Sequence, residues 1–352
     1  MSDQRGAFML EGRRIGGQRC FVIAEAGVNH NGRLDLALRL VDAAADAGAD
    51  AIKFQTFQPE LVAAASAPKA PYQREADRSS TQLEMLRDLV LPYDAYQALQ
   101  GRARDRELVF LSTPFDEPSA RFLDGVDLSA FKVASGELTN LPFIHFLASM
   151  RKPLLLSTGM STLEEVEAAM DVVRSVSSAP VALLHCVSAY PAPADACNLA
   201  AIGTLRRHFA VPAGWSDHTQ GISIALAASA LGAEILEKHI TLDRSLPGPD
   251  HAASLEPPEF RAMVAAVRDI ESALGDGVKR PVPVERPVAA VARRGLHVSR
   301  DLPAGHQLTG HDLVALRPAR GLSPARFTEV LGRRLLRPLS AGDALLEEHI
   351  GV

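Results

Sequence analysis

Eight short apolar segments, each followed by a helix-like stretch, constrain the fold of this chain more than any other feature of its sequence. Most are apolar and often β-branched, which is typical of strands buried on both faces of a parallel sheet. The predicted strands span residues 21–26, 51–56, 108–113, 131–135, 154–158, 181–186, 213–216 and 235–239. Strands that alternate with helices in this way predict an α/β protein.

Amphipathic stretches between these segments predict the helices. Residues 34–47 repeat apolar side chains at helical spacing and end before Gly48. Residues 161–165, Ser-Thr-Leu-Glu-Glu, carry a capping signature, and residues 222–231 and 258–274 predict two more helices. Eight strand–helix units in about 250 residues are the pattern of a (β/α)8 TIM barrel.

A doubly wound open sheet is the structural alternative. That fold normally carries a Gly-rich fingerprint after its first strand, whereas residues 25–32 read Glu-Ala-Gly-Val-Asn-His-Asn-Gly. We therefore predict that residues 1–275 form a TIM-barrel catalytic domain. The longer segment 58–82 is predicted to be a loop over the active face of the barrel.

The sequence pattern changes after residue 275. Residues 276–290 combine Gly, Pro and charged side chains and predict an extended linker. Residues 291–352 carry short strand and turn signals, including the similar pieces Leu-Pro-Ala-Gly at 302–305 and Leu-Ser-Ala-Gly at 339–342. They predict a small β domain with a duplicated unit. Because such a domain buries little core, we expect it to pack on its own barrel or on a partner.

Composition narrows the classes of partner. The net charge is −5 over 352 residues, and the lysines and arginines form no basic stripe of the kind that binds nucleic acid. Three cysteines without a Cys-x-x-Cys pair predict free thiols in a reducing compartment. Residues 1–17 lack the apolar core of a signal peptide, and the longest apolar run, 224–233, is too short to cross a bilayer. We expect no membrane partner and a cytoplasmic protein.

Polar residues follow nearly every predicted strand. In a barrel the carboxyl ends of the strands meet at one face, where function collects. The lysines and serines suit phosphate and carboxylate oxygens, and Glu25 and Glu137 suit proton transfer or water positioning. The set therefore predicts a site for an anionic small molecule. It comprises Glu25, Asn29, Lys53, Gln55, Ser112, Thr113, Lys132, Ser135, Glu137, Ser157, Thr158, Ser188, Tyr190, Ser216, Asp217, His218, Lys238 and His239.

His218 and His239 end two consecutive predicted strands. Neighbouring parallel strands lie roughly 4.8 Å apart, so the two imidazoles are candidates to share one divalent metal ion with open positions for substrate. A single histidine at a strand end is more often structural than a ligand. For two on neighbouring strands, both interpretations stay open.

The sequence also allows two interpretations of Lys53. It could be a rim residue whose ammonium group reaches solvent, but alternation points Lys53 and Gln55 to the same side, into the barrel or its mouth. Because a buried lysine without an anionic partner is costly, an inward Lys53 predicts a bound anion or a paired glutamate.

The motifs together resemble the sialic acid synthase family, whose members condense phosphoenolpyruvate with an N-acylated hexosamine. The resemblance covers nearly the whole chain, and its C-terminal part is similar to the antifreeze-like domain of these enzymes, which has the β-clip fold. The motifs are Ile-Ala-Glu-Ala-Gly-Val-Asn-His-Asn-Gly at 23–32, Ala-Ile-Lys-Phe-Gln at 51–55, Ser-Thr-Pro-Phe-Asp at 112–116, Lys-Val-Ala-Ser-Gly-Glu at 132–137, Ser-Thr-Gly-Met at 157–160, Ser-Asp-His at 216–218, Glu-Lys-His at 237–239, Pro-Asp-His at 249–251 and Ser-Leu-Glu-Pro at 254–257.

This resemblance implies a role for each matching residue. His218 and His239 would bind manganese or magnesium. Phosphoenolpyruvate would be held by Lys53, Lys132, Ser135, Ser157, Ser188 and Ser216. The open-chain sugar would be held by Gln55, Thr113, Phe115, Glu137, Tyr190 and Asp250, with Arg317 of the small domain reaching its N-acyl group. In this family the small domain covers the barrel of the other subunit, which implies a homodimer.

The resemblance also implies the reaction. The metal would polarise the sugar aldehyde, the methylene carbon of phosphoenolpyruvate would attack it, and water would add at the pyruvyl C2 before phosphate leaves with C–O cleavage. Glu25 is the candidate to activate that water or relay a proton.

Two departures from the family pattern leave the sugar open. Ser188 stands where synthases of N-acetylneuraminate often have Asn, and Ala319-Arg320 stands where a Gly-containing turn is common. The acceptor is predicted to be N-acetylmannosamine or a 2,4-diacetamido-trideoxyhexose. Two alternatives are another phosphoenolpyruvate-condensing barrel that uses an aldose phosphate, and a non-catalytic sugar- or ice-binding protein.

Overall fold

The computed structural model describes residues 6–70, 73–74 and 79–351. Eight parallel strands, β3 to β10, close into a barrel in sequence order, and β10 pairs with β3 to complete it. The chain therefore forms the predicted TIM barrel, and the open-sheet alternative is excluded. The barrel strands are β3 Phe21–Gly27, β4 Ala51–Thr56, β5 Val109–Pro114, β6 Phe131–Val133, β7 Leu154–Ser157, β8 Val181–Cys186, β9 Ala213–Asp217 and β10 Ile235–His239.

Most of the helices that follow the barrel strands bury one apolar face. In Leu34–Asp46 the buried residues are Leu36, Ala37, Leu40, Val41 and Ala44, at helical spacing. The predicted capping box is present, because the Thr162 side chain accepts from the Glu165 backbone N–H and Glu165 accepts from that of Thr162. The helices are α1 Leu34–Asp46, α2 Pro59–Val62, α3 Gln82–Asp88, α4 Ala95–Asp105, α5 Glu117–Gly125, α6 Leu141–Ser149, α7 Leu163–Val176, α8 Ala200–Phe209, α9 Ser223–Ala230, α10 Pro257–Leu274, α11 Arg286–Ala292 and α12 Phe327–Val330.

A hairpin that the sequence analysis did not predict precedes the barrel. Strands β1 Phe8–Leu10 and β2 Arg13–Ile15 pair antiparallel. Leu10 and Ile15 are buried and join the apolar cluster formed by inward side chains such as Phe21 and Ile235 at the amino ends of the barrel strands. The hairpin therefore seals that end of the barrel, and the carboxyl ends are left for the site.

Several predicted elements differ from the structure by one residue at an end, and three predictions differ by more. Strand β6 ends at Val133, and the one-turn helix Ser135–Glu137 follows where the strand was predicted to continue. The predicted loop 58–82 begins with helix α2, and residues 71–72 and 75–78 of it lie outside the described part of the chain. The predicted extended linker contains the turn Pro283–Glu285 and the start of α11. A proline in the first turn presets a helical φ, and the Ala-rich run that follows favours a helix.

The chain divides into two compact units, residues 1–275 and 276–352. In the second unit, β11 Gly295–Val298 pairs antiparallel with β12 Leu313–Leu316. The two similar Leu-x-Ala-Gly pieces meet at Leu302 and Leu339, whose backbones exchange hydrogen bonds of 2.8 and 3.0 Å. Its small core includes Leu296, Leu308 and Leu345.

No described helix is both long enough and apolar enough to span a membrane.

Candidate active site at the carboxyl end of the barrel

Two glutamates and two lysines form a buried ionic cluster inside the barrel. Lys53 Nζ lies 2.7 Å from Glu25 Oε2 and 3.8 Å from Glu237 Oε2, and Lys132 Nζ lies 3.8 Å from Glu237 Oε1. Lys53 also donates to Thr113 Oγ1 at 3.1 Å. Lys53 is thus a buried inward residue with paired glutamates, one of the two arrangements that the sequence predicted for it.

The two carboxyl groups of this cluster have opposite electrostatic environments. Burial raises the pKa of Glu25 to about 7, although Lys53 opposes the shift. Burial acts in the same direction on Glu237, but Lys132, Lys53 and a hydrogen bond from Ser216 outweigh it and lower the Glu237 pKa to about 2. Glu237 is therefore a fixed anion that holds the lysines, whereas Glu25 can gain or lose a proton near neutral pH.

One serine hydroxyl group contacts Lys132, another contacts Glu237, and two more contact each other. Lys132 Nζ donates to Ser157 Oγ at 2.7 Å, and Ser216 Oγ donates to Glu237 Oε1 at 2.9 Å. The hydroxyl groups of Ser135 and Ser188 lie 3.0 Å apart. Lysine and serine donors that converge in a buried site suit a phosphate or carboxylate ligand.

The two histidines lie side by side, with ring centroids 5.6 Å apart. His218 Nδ1 lies 2.7 Å from the Val187 carbonyl oxygen, which can only accept, so Nδ1 carries the proton and Nε2 accepts from the Tyr190 hydroxyl at 3.1 Å. His239 Nδ1 is buried without a hydrogen-bond partner, 3.7 Å from Asp250 Oδ2. Burial lowers the pKa of both histidines, which keeps them neutral.

These imidazoles fit a divalent cation. Among the described residues, no group of three or more His, Cys, Asp or Glu side chains is arranged to hold a metal by itself. Neutral imidazole is nevertheless the form that binds metals, and the unpartnered Nδ1 of His239 is a donor atom that nothing in the described part of the protein satisfies. His218 and His239 would hold the cation, and substrate and water would complete its coordination.

A cavity of about 240 Å³ adjoins the histidines and contains several of the predicted sugar-binding residues, namely Gln55, Phe115, Tyr190 and Asp250. Gln55 Nε2 donates to Glu25 Oε1 at 3.3 Å, so Lys53 and Gln55 do point to the same side. The loop that carries Asp250 is fixed by Asn29, whose Nδ2 donates to the Ile240 carbonyl and to Ser254 Oγ.

Three predicted residues of the barrel unit, Glu137, Asp217 and Lys238, make other contacts than those of this cluster. Glu137 is partly exposed and accepts from Asn140 Nδ2 at 2.8 Å. Arg317 is an exposed residue of the second unit. Lys238 and Asp217 form a fully buried ion pair of 2.8 Å, and alternation along β10 turns Lys238 away from the inward Glu237 and His239.

Glu237 is the site residue that the sequence analysis did not assign. It lies in the Glu-Lys-His motif two positions before His239, so period-2 alternation places both side chains on one face of β10. This two-residue spacing is the feature of the sequence that indicates an inward Glu237.

A TIM barrel with lysines, serines and a titratable glutamate at the carboxyl ends of its strands defines an enzyme that acts on an anionic substrate. The chain belongs to the NeuB family, whose model matches residues 40–279, and a SAF domain model matches residues 293–351. It is accordingly a phosphoenolpyruvate-condensing nonulosonic acid synthase, similar to N-acetylneuraminate synthases. The resemblance inferred from the motifs is confirmed.

Individual relatives are similar to this protein over most of its length. It is 46% identical to the N,N'-diacetyllegionaminic acid synthase of Legionella pneumophila over 336 residues, which cover 94% of each chain. It is 42% identical to the enzyme of the same name from Campylobacter jejuni, with 90% of this chain and 96% of that one covered. The crystal structure of N-acetylneuraminic acid synthetase from Leptospira borgpetersenii superimposes with a TM-score of 0.72 at 36% identity, over 81% of this chain and 95% of that one.

Proposed function

We propose that this enzyme condenses phosphoenolpyruvate with an open-chain N-acylated hexosamine and releases inorganic phosphate. The observation that carries the proposal is the buried cluster of Lys53, Lys132, Glu25 and Glu237 beside a pair of neutral histidines. Of the two acceptors that the sequence left open, the names of the two diacetyllegionaminic acid synthases favour a 2,4-diacetamido-trideoxyhexose over N-acetylmannosamine.

The proposed binding roles follow the chemistry of the side chains. The lysines and the hydroxyl groups hold the phosphate and carboxylate of phosphoenolpyruvate; these are Lys53, Lys132, Ser135, Ser157, Ser188 and Ser216. Gln55, Phe115, Tyr190 and Asp250 line the cavity and hold the sugar. Thr113 contributes through its hydrogen bond to Lys53. Glu137 and Arg317 remain predicted contacts to the sugar.

The proposed reaction needs one proton acceptor. A C–C bond forms between the methylene carbon of phosphoenolpyruvate and the aldehyde carbon, whose oxygen takes up a proton and becomes a hydroxyl group. Water adds at the pyruvyl C2, and the C–O bond to phosphate then breaks as the new C2 hydroxyl group becomes a carbonyl and its proton leaves with phosphate. A divalent cation at His218 and His239 would supply Lewis acidity toward the aldehyde. Glu25 takes the proton of the attacking water, since its pKa near 7 suits a general base at neutral pH.

We also propose a homodimer in which the small unit of one protomer covers the barrel of the other. The small unit has its own limited core. Val288 and Val291 are exposed on α11, and Val284 is exposed in the turn before it. Exposed apolar side chains of this kind support a partner surface.

Phosphate release from phosphoenolpyruvate tests the function. We expect release only when an N-acylated hexosamine is present, loss of release after chelation, and recovery with Mn²⁺ or Mg²⁺. Arabinose 5-phosphate should be inert. Release with that sugar phosphate and with no acylated sugar would instead support the alternative synthase, and sugar binding without release would support the non-catalytic alternative.

A further inference from the structure

The cavity beside the histidines has two chemically different parts. Five of the described lining residues supply polar groups, namely Gln55, Gln73, Gln82, Tyr190 and Asp250. Tyr190 and Asp250 adjoin the histidines, because Tyr190 contacts His218 at 3.1 Å and Asp250 lies 3.7 Å from His239. Much of the remaining lining is apolar and is called here the apolar wall. It consists of Val28, Phe57, Met85, Leu86, Leu89 and Phe115.

The residues of the apolar wall pack against one another. Val28, Phe57, Met85 and Leu89 are buried and pack as one cluster, with Leu86 and Phe115 against it. Phe57 and Phe115 are in edge-to-face contact, with ring centroids 6.2 Å apart. Three of the six residues belong to α3 or directly follow it, so the segment after β4 supplies much of the wall.

The charge of the cavity argues against a phosphorylated ligand in this part of it. None of the described residues that line it is a lysine or an arginine, and its charged residue is Asp250. A phosphate dianion buried here would lose its hydration without meeting a cation among the described lining residues, and it would face the Asp250 carboxyl group. At about 240 Å³ the cavity suits a monosaccharide, since pockets for drug-sized ligands are larger, roughly 300–1,000 Å³.

We propose that the apolar wall selects the acceptor: it receives the deoxygenated, methyl-bearing end of an unphosphorylated N-acylated sugar and excludes a terminal hydroxyl or phosphate. The inference rests on the proposed function, because the aldehyde end must lie at the histidines for the far end to reach the wall. A hydroxyl group against apolar side chains loses its hydrogen bonds to water, whereas a methyl group gains from burial.

A matched series of acceptors tests the selection. The sugars are 2-acetamido-2,6-dideoxymannose, N-acetylmannosamine and N-acetylmannosamine 6-phosphate, which differ only at C6. A 2,4-diacetamido-trideoxyhexose serves as the reference acceptor. We expect kcat/KM, or the inhibition constant against the reference where turnover is absent, to favour the deoxy sugar over the hydroxyl sugar by roughly 10- to 100-fold. The phosphate should be weakest.

The same series of acceptors distinguishes failure of the proposed function from failure of the proposed selection by the apolar wall. If neither the reference nor any of the three sugars releases phosphate from phosphoenolpyruvate, the proposed function fails. If sugars are used but the 6-phosphate equals or exceeds the deoxy sugar, the proposed function stands and the selection by the apolar wall is overturned.

Two variants at neighbouring positions of α2 test whether the preference between acceptors depends on the residues that line the cavity. Val62 lines the cavity at its rim and is 36% exposed, whereas Leu61 is 55% exposed and does not line it. We expect Val62→Lys to shift the preference toward the 6-phosphate by roughly two- to fivefold, the scale of an exposed charge pair. Leu61→Lys, which adds the same charge next to it, should leave the preference unchanged. Equal effects of the two variants, or none from Val62→Lys, would overturn the inference.

Discussion

At the scale of single residues, Glu25 and Glu237 show how one cluster gives two carboxyl groups different tasks. Both are buried and both face Lys53. Only Glu237 also pairs with Lys132 and accepts a hydrogen bond from Ser216. The extra cation and the hydroxyl group stabilise the ionised form of Glu237. At Glu25 burial is the largest influence, and the charge of Glu237 also raises its pKa.

A pH profile tests the role of Glu25. Its raised pKa of about 7 leaves it protonated below and ionised above that value, so a base at this position predicts that kcat/KM rises between pH 6 and pH 8. Glu25→Gln should lower kcat/KM by roughly 100-fold or more and remove this rise. Glu60→Gln, at an exposed ion pair with Arg87, is the control and should leave the profile intact. A rise near pH 7 that persists in Glu25→Gln would contradict the assignment.

Gly27 is a second residue whose identity the site requires. Its φ is +53°, and a Cβ atom there would lie 3.3 Å from Glu25 Oε1 and 3.4 Å from Asp250 Oδ2. Gly27→Ala should cost roughly 1–2 kcal/mol of stability from backbone strain. It should also push aside the Glu25 carboxyl group, the nearer of the two, which should lower activity by roughly tenfold.

Gly12→Ala provides the matched control for Gly27→Ala. Gly12 has a φ of +77°, and no atom of the described residues lies within 4 Å of the position that a Cβ would take, so the variant carries the strain alone. Urea denaturation and phosphate release measured on both variants separate the effects. Similar activity losses in the two would show that strain, and not contact with the carboxyl groups, is responsible.

At the scale of elements, the hairpin β1–β2 explains how the barrel is closed at the end away from the site. Ile15 is completely buried in the cluster at the amino ends of the strands. Because interiors are close-packed, the inward residues of short strands leave a gap at that end unless another element fills it. The hairpin therefore contributes to stability and not to chemistry.

Truncation of Ile15 tests this division. Ile15→Ala should lower the free energy of unfolding by about 2–5 kcal/mol, the usual cost of a buried aliphatic truncation, with KM for both substrates unchanged. Met9→Ala, on the same hairpin but 59% exposed, should change stability by less than about 0.5 kcal/mol. Chemical denaturation gives the free energy of unfolding, and steady-state kinetics give KM. A changed KM in Ile15→Ala would show that the hairpin affects the site.

At the scale of the whole molecule, the proposed dimer makes a specific prediction for mixed subunits. A His218→Ala subunit would lack a proposed metal ligand of its barrel, and an Arg317→Ala subunit would lack the sugar contact proposed for its small domain. If each small domain serves the other barrel, a mixed dimer has one intact site, and statistical mixing should restore about a quarter of wild-type activity.

The control for this experiment is each variant alone, which should remain nearly inactive at the same total concentration. Sedimentation equilibrium establishes whether dimers form. No recovery in mixed dimers would show that Arg317 serves the barrel of its own subunit or none.

Much of the fold could be predicted from the sequence because its determinants are local. Strands β4, β8 and β10 begin and end at the predicted residues, since apolar runs and helix caps act over a few neighbouring positions. The hairpin was missed because its three-residue strands carry too short a pattern. The turn after Val133 was missed because Ser135 belongs to a motif that continues past the strand.

The sequence by itself determined the barrel, the face that holds the site and the shared direction of Lys53 and Gln55, because each follows from the order and periodicity of the strands. Only the tertiary structure decided how the charges pair. Closure of the barrel places β10 against β3 and sets His239 opposite Glu25, more than two hundred residues apart in the chain. Glu237 comes between Lys53 and Lys132 in the same way. Such long-range contacts depend on how the strands close, and no local pattern encodes them.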